Sequence, residues 1–306
     1  MLLLDARQIE AVPLGMPEVM EIVEAALREK AAGRVELPPK LGLAPRPGAV
    51  LHAMPARVGD ALGMKWIASF PENRARGLPP TAGLIVLNDS TTGVPYAVLD
   101  ADRITTLRTG AVAAVAARAL ARPGAAVAAV LGPGRVGASA LSALRHALPG
   151  LRTVRAWAPR MTTARRFAKE HGAQAAASAE EAVRGADVIV SAAPWPGGPP
   201  RVEPDWIGAG AFACSLDYDA TFTPDSVAAF DLHVADDVAQ MDVARAKGSF
   251  PGWPRFSELC TAHRKDPSQR ILCTALGLAL FDISVATHVV HLATNRKPDT
   301  GQEHSL

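Results

Sequence analysis

The chain has 306 residues, of which 49% are hydrophobic and 20% charged, a composition that excludes an intrinsically disordered chain and suffices for two folded domains. Its 32 basic and 30 acidic residues leave a net charge of +2 with no basic run, so a nucleic-acid partner is not expected. Three cysteines, Cys214, Cys260 and Cys273, share no C-x-x-C spacing, which predicts neither a disulfide framework nor a metal site and fits a reducing, cytoplasmic setting.

In chain order, the start is apolar only over Met1–Leu4, with Asp5 and Arg7 close behind, and predicts no signal peptide. Met16–Ala31 reads as a helix, with Pro17 near its start and Gly33 stopping it. Leu37-Pro38-Pro39-Lys40-Leu41 is extended, because proline pushes its predecessor out of the helical region. Strand-like runs follow at Val50–Met54, Gly63–Phe70, Gly83–Asn88 and Val94–Asp100, separated by turn-rich segments, and predict an antiparallel meander. Ile104–Leu120 is an alanine-rich helix that would carry the chain into a second domain.

From Ala126 the pattern alternates strand and helix: strands at Val154–Ala158, Val188–Ala192, Ala211–Leu216 and Leu232–Ala235, helices at Thr162–Glu170 and Ser178–Arg184. Such alternation predicts a doubly wound, Rossmann-type parallel sheet. Pro194–Pro200 and Gly248–Pro254 read as loops, with Trp195 and Trp253 in them. The long apolar run Ile271–Thr294 contains Asp282, His288 and His291; a membrane would bury that carboxylate at high cost, so a core or interface helix is expected and no membrane span. The expected α/β architecture is therefore a substrate and dimerisation domain over 1–115, a dinucleotide domain over 116–270, and a helix over 271–306 that returns to the first domain.

The second domain opens on Val127-Ala128-Ala129-Val130-Leu131, then Gly132-Pro133-Gly134-Arg135-Val136-Gly137, then a helical segment, Ala138 to Leu148. A G-x-G-x-x-G between a buried strand and a helix is the context of a dinucleotide-binding turn. Gly132 makes the tight turn, Gly134 admits a pyrophosphate, and Gly137 lets helix and strand pack closely; the phosphates would meet the helix N-terminus, near Arg135 and Val136. In such folds an acid about 20 residues on binds the ribose 2′-OH of NAD. Here Ala158 lies 21 positions after Gly137, no Asp or Glu occurs between Leu151 and Lys169, and Arg160 stands close by. A guanidinium suits a 2′-phosphate, so NADP(H) is favoured, with NAD(H) as the alternative.

More specific motifs precede the glycine turn. Pro38-Pro39-Lys40, His52-Ala53-Met54-Pro55-Ala56, Gly63-Met64-Lys65-Trp66, Gly77-Leu78-Pro79, Ile85-Val86-Leu87-Asn88, Val98-Leu99-Asp100-Ala101 and Leu107-Arg108-Thr109-Gly110-Ala111 occur in this order. Together they resemble the ornithine cyclodeaminase/μ-crystallin family, and within it the archaeal-type alanine dehydrogenases and related imine reductases. The resemblance runs from the first helix to Leu276-Gly277-Leu278-Ala279. It implies a dinucleotide domain inserted in a discontinuous α+β substrate and dimerisation domain, a homodimer, and NAD(P)-dependent chemistry on the C–N bond of a small 2-amino or 2-imino acid.

By the same resemblance, Lys65 lies beside the substrate carboxylate and reacting nitrogen, and Arg108 holds the carboxylate, with Thr109 next to it on the cofactor side. Lys40 stands where cyclodeaminases and μ-crystallins have arginine and alanine dehydrogenase-like members have lysine. His52 replaces a substrate-side arginine. Asp219 aligns with the catalytic aspartate, although Leu216-Asp217-Tyr218 replaces the usual Gly-rich stretch, so Asp217, expected two residues earlier on the same strand face, is an alternative carboxylate. The residue types suit the chemistry: a carboxylate substrate needs cations, and an imine accepts hydride better when protonated. An amino-acid dehydrogenase or imine reductase is thus the expected function; a cyclodeaminase with catalytic NAD and a non-catalytic, crystallin-like nucleotide binder are the alternatives.

Overall fold

The computed structural model describes residues 1–194 and 202–294. The first half consists of β1 (Leu2–Leu4), α1 (Ala6–Glu10), α2 (Met16–Ala31), β2 (Val35–Glu36), β3 (Leu41–Arg46), β4 (Ala49–Val58), β5 (Ala61–Ser69), β6 (Thr81–Asn88), β7 (Pro95–Asp100) and α3 (Asp102–Leu120). Its strands form one sheet in the order β1-β7-β6-β5-β4-β2, with β3 also paired to β4. The meander from β3 to β7 is antiparallel as expected, and β1 adds a parallel edge to β7.

The second half contains β8 (Val127–Leu131), α4 (Arg135–Ala147), β9 (Thr153–Trp157), α5 (Met161–His171), β10 (Gln174–Ala175), α6 (Ala179–Val183), β11 (Val188–Ser191), β12 (Phe212–Ser215), α7 (Pro224–Ala228), β13 (Leu232–Ala235), α8 (Val238–Ala246), β14 (Ser257–Glu258) and β15 (Ile271–Thr274). These strands make a wholly parallel sheet in the order β10-β9-β8-β11-β12-β15-β13-β14. Helix α9 (Ala279–Thr294) closes the described chain.

Two expectations are corrected here. The helix expected over Ile271–Thr294 is two elements: Ile271–Thr274 is a strand between β12 and β13, and the helix begins only at Ala279. Periodicity does not separate a strand buried on both faces from a buried helix, and all four residues of β15 are buried. The parallel sheet therefore takes its sixth strand from beyond residue 270. Second, the strand before the candidate carboxylates ends at Ser215, and Tyr218 has a left-handed φ of 60°, so Asp217 and Asp219 lie on a turn and not on one strand face.

Helix α9 packs on the inner face of β4, β5 and β6 and against α2 and α3, which makes the discontinuous first layer. Helix α3 also packs on α4, joining the two sheets. Its alanine-rich face permits a close approach at Gly110, where an added Cβ would collide with Ser139 and lie 2.7 Å from Ala140 N. Gly110→Val should lower stability by about 1–3 kcal/mol through overpacking, read as a lower urea midpoint; an unchanged midpoint would mean that the helices separate freely.

No described helix is long and apolar enough to cross a membrane, and no cluster of three metal-ligating side chains occurs among the described residues. His288 binds Glu18 on α2 at 2.6 Å, and its ring lies 6.4 Å from that of His291, tilted by 33°. Trp195 lies outside the described residues.

Candidate active site

The glycine turn has the form expected from its spacing. Gly132 adopts φ +84°, and a Cβ there would lie 2.5 Å from the Ala192 carbonyl oxygen at the end of β11. A Cβ on Gly137 would lie 2.8 Å from Gly132 O and 3.2 Å from Val130 Cγ1, so only glycine lets α4 sit against β8. At Gly134 a Cβ would meet nothing within 4 Å, and no side chain caps the N-terminus of α4. The first N–H groups of a helix have no intrahelical partner, so this end is open to an anion. Arg135 reaches back to Asp102 and, at 3.1 Å, to Thr106 Oγ1, bracing the turn against the start of α3. Thr109 bonds the Thr105 carbonyl at 2.7 Å, one helical turn earlier. Ala158 is buried; Arg160 is exposed at the start of α5 and makes no ion pair among the described residues.

A second cluster forms where α3, α9 and the meander meet. Lys65 points inward from β5, Arg108 from α3 and Asp282 from α9. Lys65 Nζ lies 2.6 Å from Asp282 Oδ2, and Arg108 Nε donates to Asp282 Oδ1 at 3.0 Å. All three are buried: Lys65 is 1% exposed, Arg108 6% and Asp282 0%. Burial, with the Arg108 guanidinium beside it, pulls the Lys65 ammonium down to about 7, and the Asp282 carboxylate opposes that fall. The terminal nitrogens of Arg108 bond no protein group among the described residues, and they lie over Gly277.

Lys40 approaches the same region from the segment before β3. Its backbone N–H donates to Gln240 Oε1 at 2.7 Å, its Nζ donates to the Leu276 carbonyl at 2.7 Å, and Nζ sits 5.2 Å from the centre of the Tyr218 ring. His52 is on the same sheet face, one strand from Lys65: Met54 pairs with Lys65, and His52 with Ile67. Burial first, then the charges of Lys40, Lys247 and Lys65, hold the His52 imidazole down to about 4, so it is neutral near pH 7.

The two candidate carboxylates separate clearly. Asp217 is 2% exposed and accepts hydrogen bonds from Ser191 Oγ (2.7 Å), Ala193 N (2.8 Å), Ser215 Oγ (3.0 Å) and Thr221 Oγ1 (2.7 Å). Burial raises its pKa while these donors oppose the rise, and the result is a pin between the ends of β11 and β12. Asp219 accepts from Phe250 N at 2.8 Å. No hydrogen bond joins it to Lys40, Lys65 or Arg108 among the described residues, whereas Asp282 bonds two of them. The structure thus brings Lys65 and Arg108 together on Asp282, a carboxylate from an element not expected to supply one, and places Lys40 on the Leu276 carbonyl beside them. The one signal for Asp282 in the sequence was an acid inside a long apolar run, which burial allows only with a partner.

Residues 2–225 match the sequence profile of the ornithine cyclodeaminase/mu-crystallin family. The nodulation efficiency protein NfeD of Rhizobium meliloti is 30% identical over 316 residues, covering 95% of this chain and 94% of that protein. An archaeal alanine dehydrogenase dimer with bound NAD superposes with a TM-score of 0.85 at 30% identity, covering 96% of both chains. The Δ1-pyrroline-2-carboxylate reductase of Thermococcus litoralis, in complex with NADH and L-proline, also gives 0.85, at 26% identity over 96% of this chain and 98% of that one.

Proposed function

Because the chain belongs to the ornithine cyclodeaminase/mu-crystallin family, we propose that it is a nicotinamide-dependent oxidoreductase acting on the C–N bond of a small 2-amino or 2-imino acid. The observation that carries this reading is the buried Lys65–Asp282–Arg108 cluster, with Lys40 beside it and an anion-ready glycine turn on the adjoining sheet.

In this reading Gly132, Gly134, Arg135, Val136 and Gly137 hold the cofactor pyrophosphate, with Thr109 on the facing helix. The nicotinamide, when bound, exchanges hydride with the substrate α-carbon. Arg108 has its Nε committed to Asp282, and its remaining fork suits the substrate carboxylate. Lys65 shifts a proton to or from the nitrogen, since a lysine near 7 is poised for both directions. Lys40 adds a second cation for the carboxylate. His52, uncharged, lines the side-chain end, which suits a small neutral substrate better than one with a second acid. Asp219, the aspartate expected to transfer protons, is read instead as the anchor of the Phe250 loop.

The test is a screen of 2-oxo acids with ammonia or amines, and of cyclic imino acids, followed by nicotinamide absorbance. Net cofactor oxidation supports the proposal. Ammonia release from a diamino acid without net absorbance change identifies a cyclodeaminase, and neither signal identifies a nucleotide binder.

NADP(H) is the expected cofactor, because β9 ends without an acid and Arg160 is exposed beside it. The two solved relatives contain NAD or NADH, so the comparison is direct. Arg160→Ala should reduce kcat/KM with NADPH by about tenfold, the value of one charge-assisted contact, and leave NADH nearly unchanged. Equal losses, or a wild-type preference for NADH, would assign NAD.

A homodimer is expected through the outer face of the first sheet. Leu41, Ala53, Trp66 and Leu84 stand side by side across β3, β4, β5 and β6, on the face opposite Lys65. Leu41 is 71% exposed, Trp66 40% and Leu84 47%, an apolar row that a partner would cover. Light scattering at micromolar concentration should give twice the chain mass, and Trp66→Glu should halve it; a monomeric wild type would refute the dimer.

A further inference from the structure

Asp236 directly follows β13 and is fully buried. Its two carboxylate oxygens accept from consecutive backbone N–H groups, Leu276 at 2.9 Å and Gly277 at 2.9 Å. Those two residues link β15 to α9, and each touches a site cation. The Leu276 carbonyl accepts from Lys40 Nζ at 2.7 Å. Gly277, at φ +81°, lies flat against Arg108: a Cβ there would sit 3.1 Å from Nη1 and 3.3 Å from Nη2. A buried carboxylate is a costly way to hold a turn if holding it is all that is needed. What distinguishes this turn is that its two residues contact both the ammonium and the guanidinium.

We propose that Asp236 is a positioning residue that sets the spacing of Lys40 and Arg108 through the Leu276–Gly277 turn and thereby tunes substrate carboxylate binding. The proposal rests on the carboxylate role given to those two cations above. Asparagine in its place keeps one acceptor and turns its amide toward the second N–H, so the turn rotates and Leu276 O leaves Lys40. The effect then travels through Lys40, and removing Lys40 as well should add little, because contacts in one network are not additive.

The experiment measures kcat and KM of the NAD(P)H-loaded enzyme with Δ1-pyrroline-2-carboxylate for wild type, Asp236→Asn, Lys40→Met and the double variant. Asp236→Asn should raise KM about tenfold with a smaller fall in kcat, the scale of one charge-assisted contact. The double variant should be no worse than the poorer single one. Additive losses, or an Asp236→Asn KM within about twofold of wild type, would overturn the proposal. If Asp236→Asn does not fold, Asp236→Glu takes its place, keeping the charge while displacing the carboxylate by one methylene: non-additivity with Lys40→Met supports the proposal, and additivity overturns it. A wild type that does not turn over this imino acid counts against the function and not against the positioning. A crystal structure of Asp236→Asn then decides: Lys40 Nζ beyond about 3.5 Å from Leu276 O supports the proposal, and an unchanged contact overturns it.

Discussion

Asp282→Ala should destabilise the protein by about 3–5 kcal/mol, because it leaves two buried cations without their shared carboxylate. Lys65 and Arg108 are 1% and 6% exposed, so water cannot replace Asp282 without opening the α3–α9 contact. The two cations respond differently. Arginine cannot give up its proton, whereas lysine can, and burial already draws Lys65 from 10.5 to about 7. Without Asp282 the Lys65 value falls further. A lysine whose folded value lies below its unfolded one binds fewer protons in the native state between the two, so stability rises with pH across that window. The loss should therefore be largest near pH 6 and smaller near pH 9. Urea unfolding at both values checks this. A loss below about 1 kcal/mol at pH 6 would mean that the cluster contributes little to the fold.

Lys65→Met should lower kcat/KM by about 10²–10⁴-fold, the range for loss of a general acid or base. Methionine keeps the length and apolar stem, so packing against β4 and β6 survives and the charge alone is removed. The sign of the pH dependence follows from the depressed value. In imine reduction the protonated lysine is the active form, so the rate falls as pH rises through about 7; in amine oxidation the neutral form is needed, and the rate rises through the same region. The variant should lose that limb in both directions. If the profile keeps its shape, the proton passes through another group, and Asp219→Asn becomes the decisive variant.

The local sequence determined much of this protein. Gly132, Gly134 and Gly137 between an apolar strand and a helix specify the turn, because each position permits only a missing side chain or leaves room for a ligand. Alternating strand and helix predicts the parallel sheet, and runs broken by Gly, Pro, Asn and Asp predict the meander. Lys65, Arg108 and Lys40 were legible through their motifs. Tertiary structure alone decided which charges meet. Asp282 is 217 positions from Lys65 and 174 from Arg108, and no local pattern encodes such a pairing. The same holds for β15, whose four residues read equally well as helix until β12 and β13 bond to both edges. Asp217 and Asp219, two residues apart and both candidates in sequence, are told apart by their partners: one is locked among Ser191, Ala193, Ser215 and Thr221, and the other holds Phe250. Propensity and turn chemistry act over a few residues and are written in order along the chain; the partner of a buried charge is set by which helix covers which sheet face, and that is known only once the chain has folded.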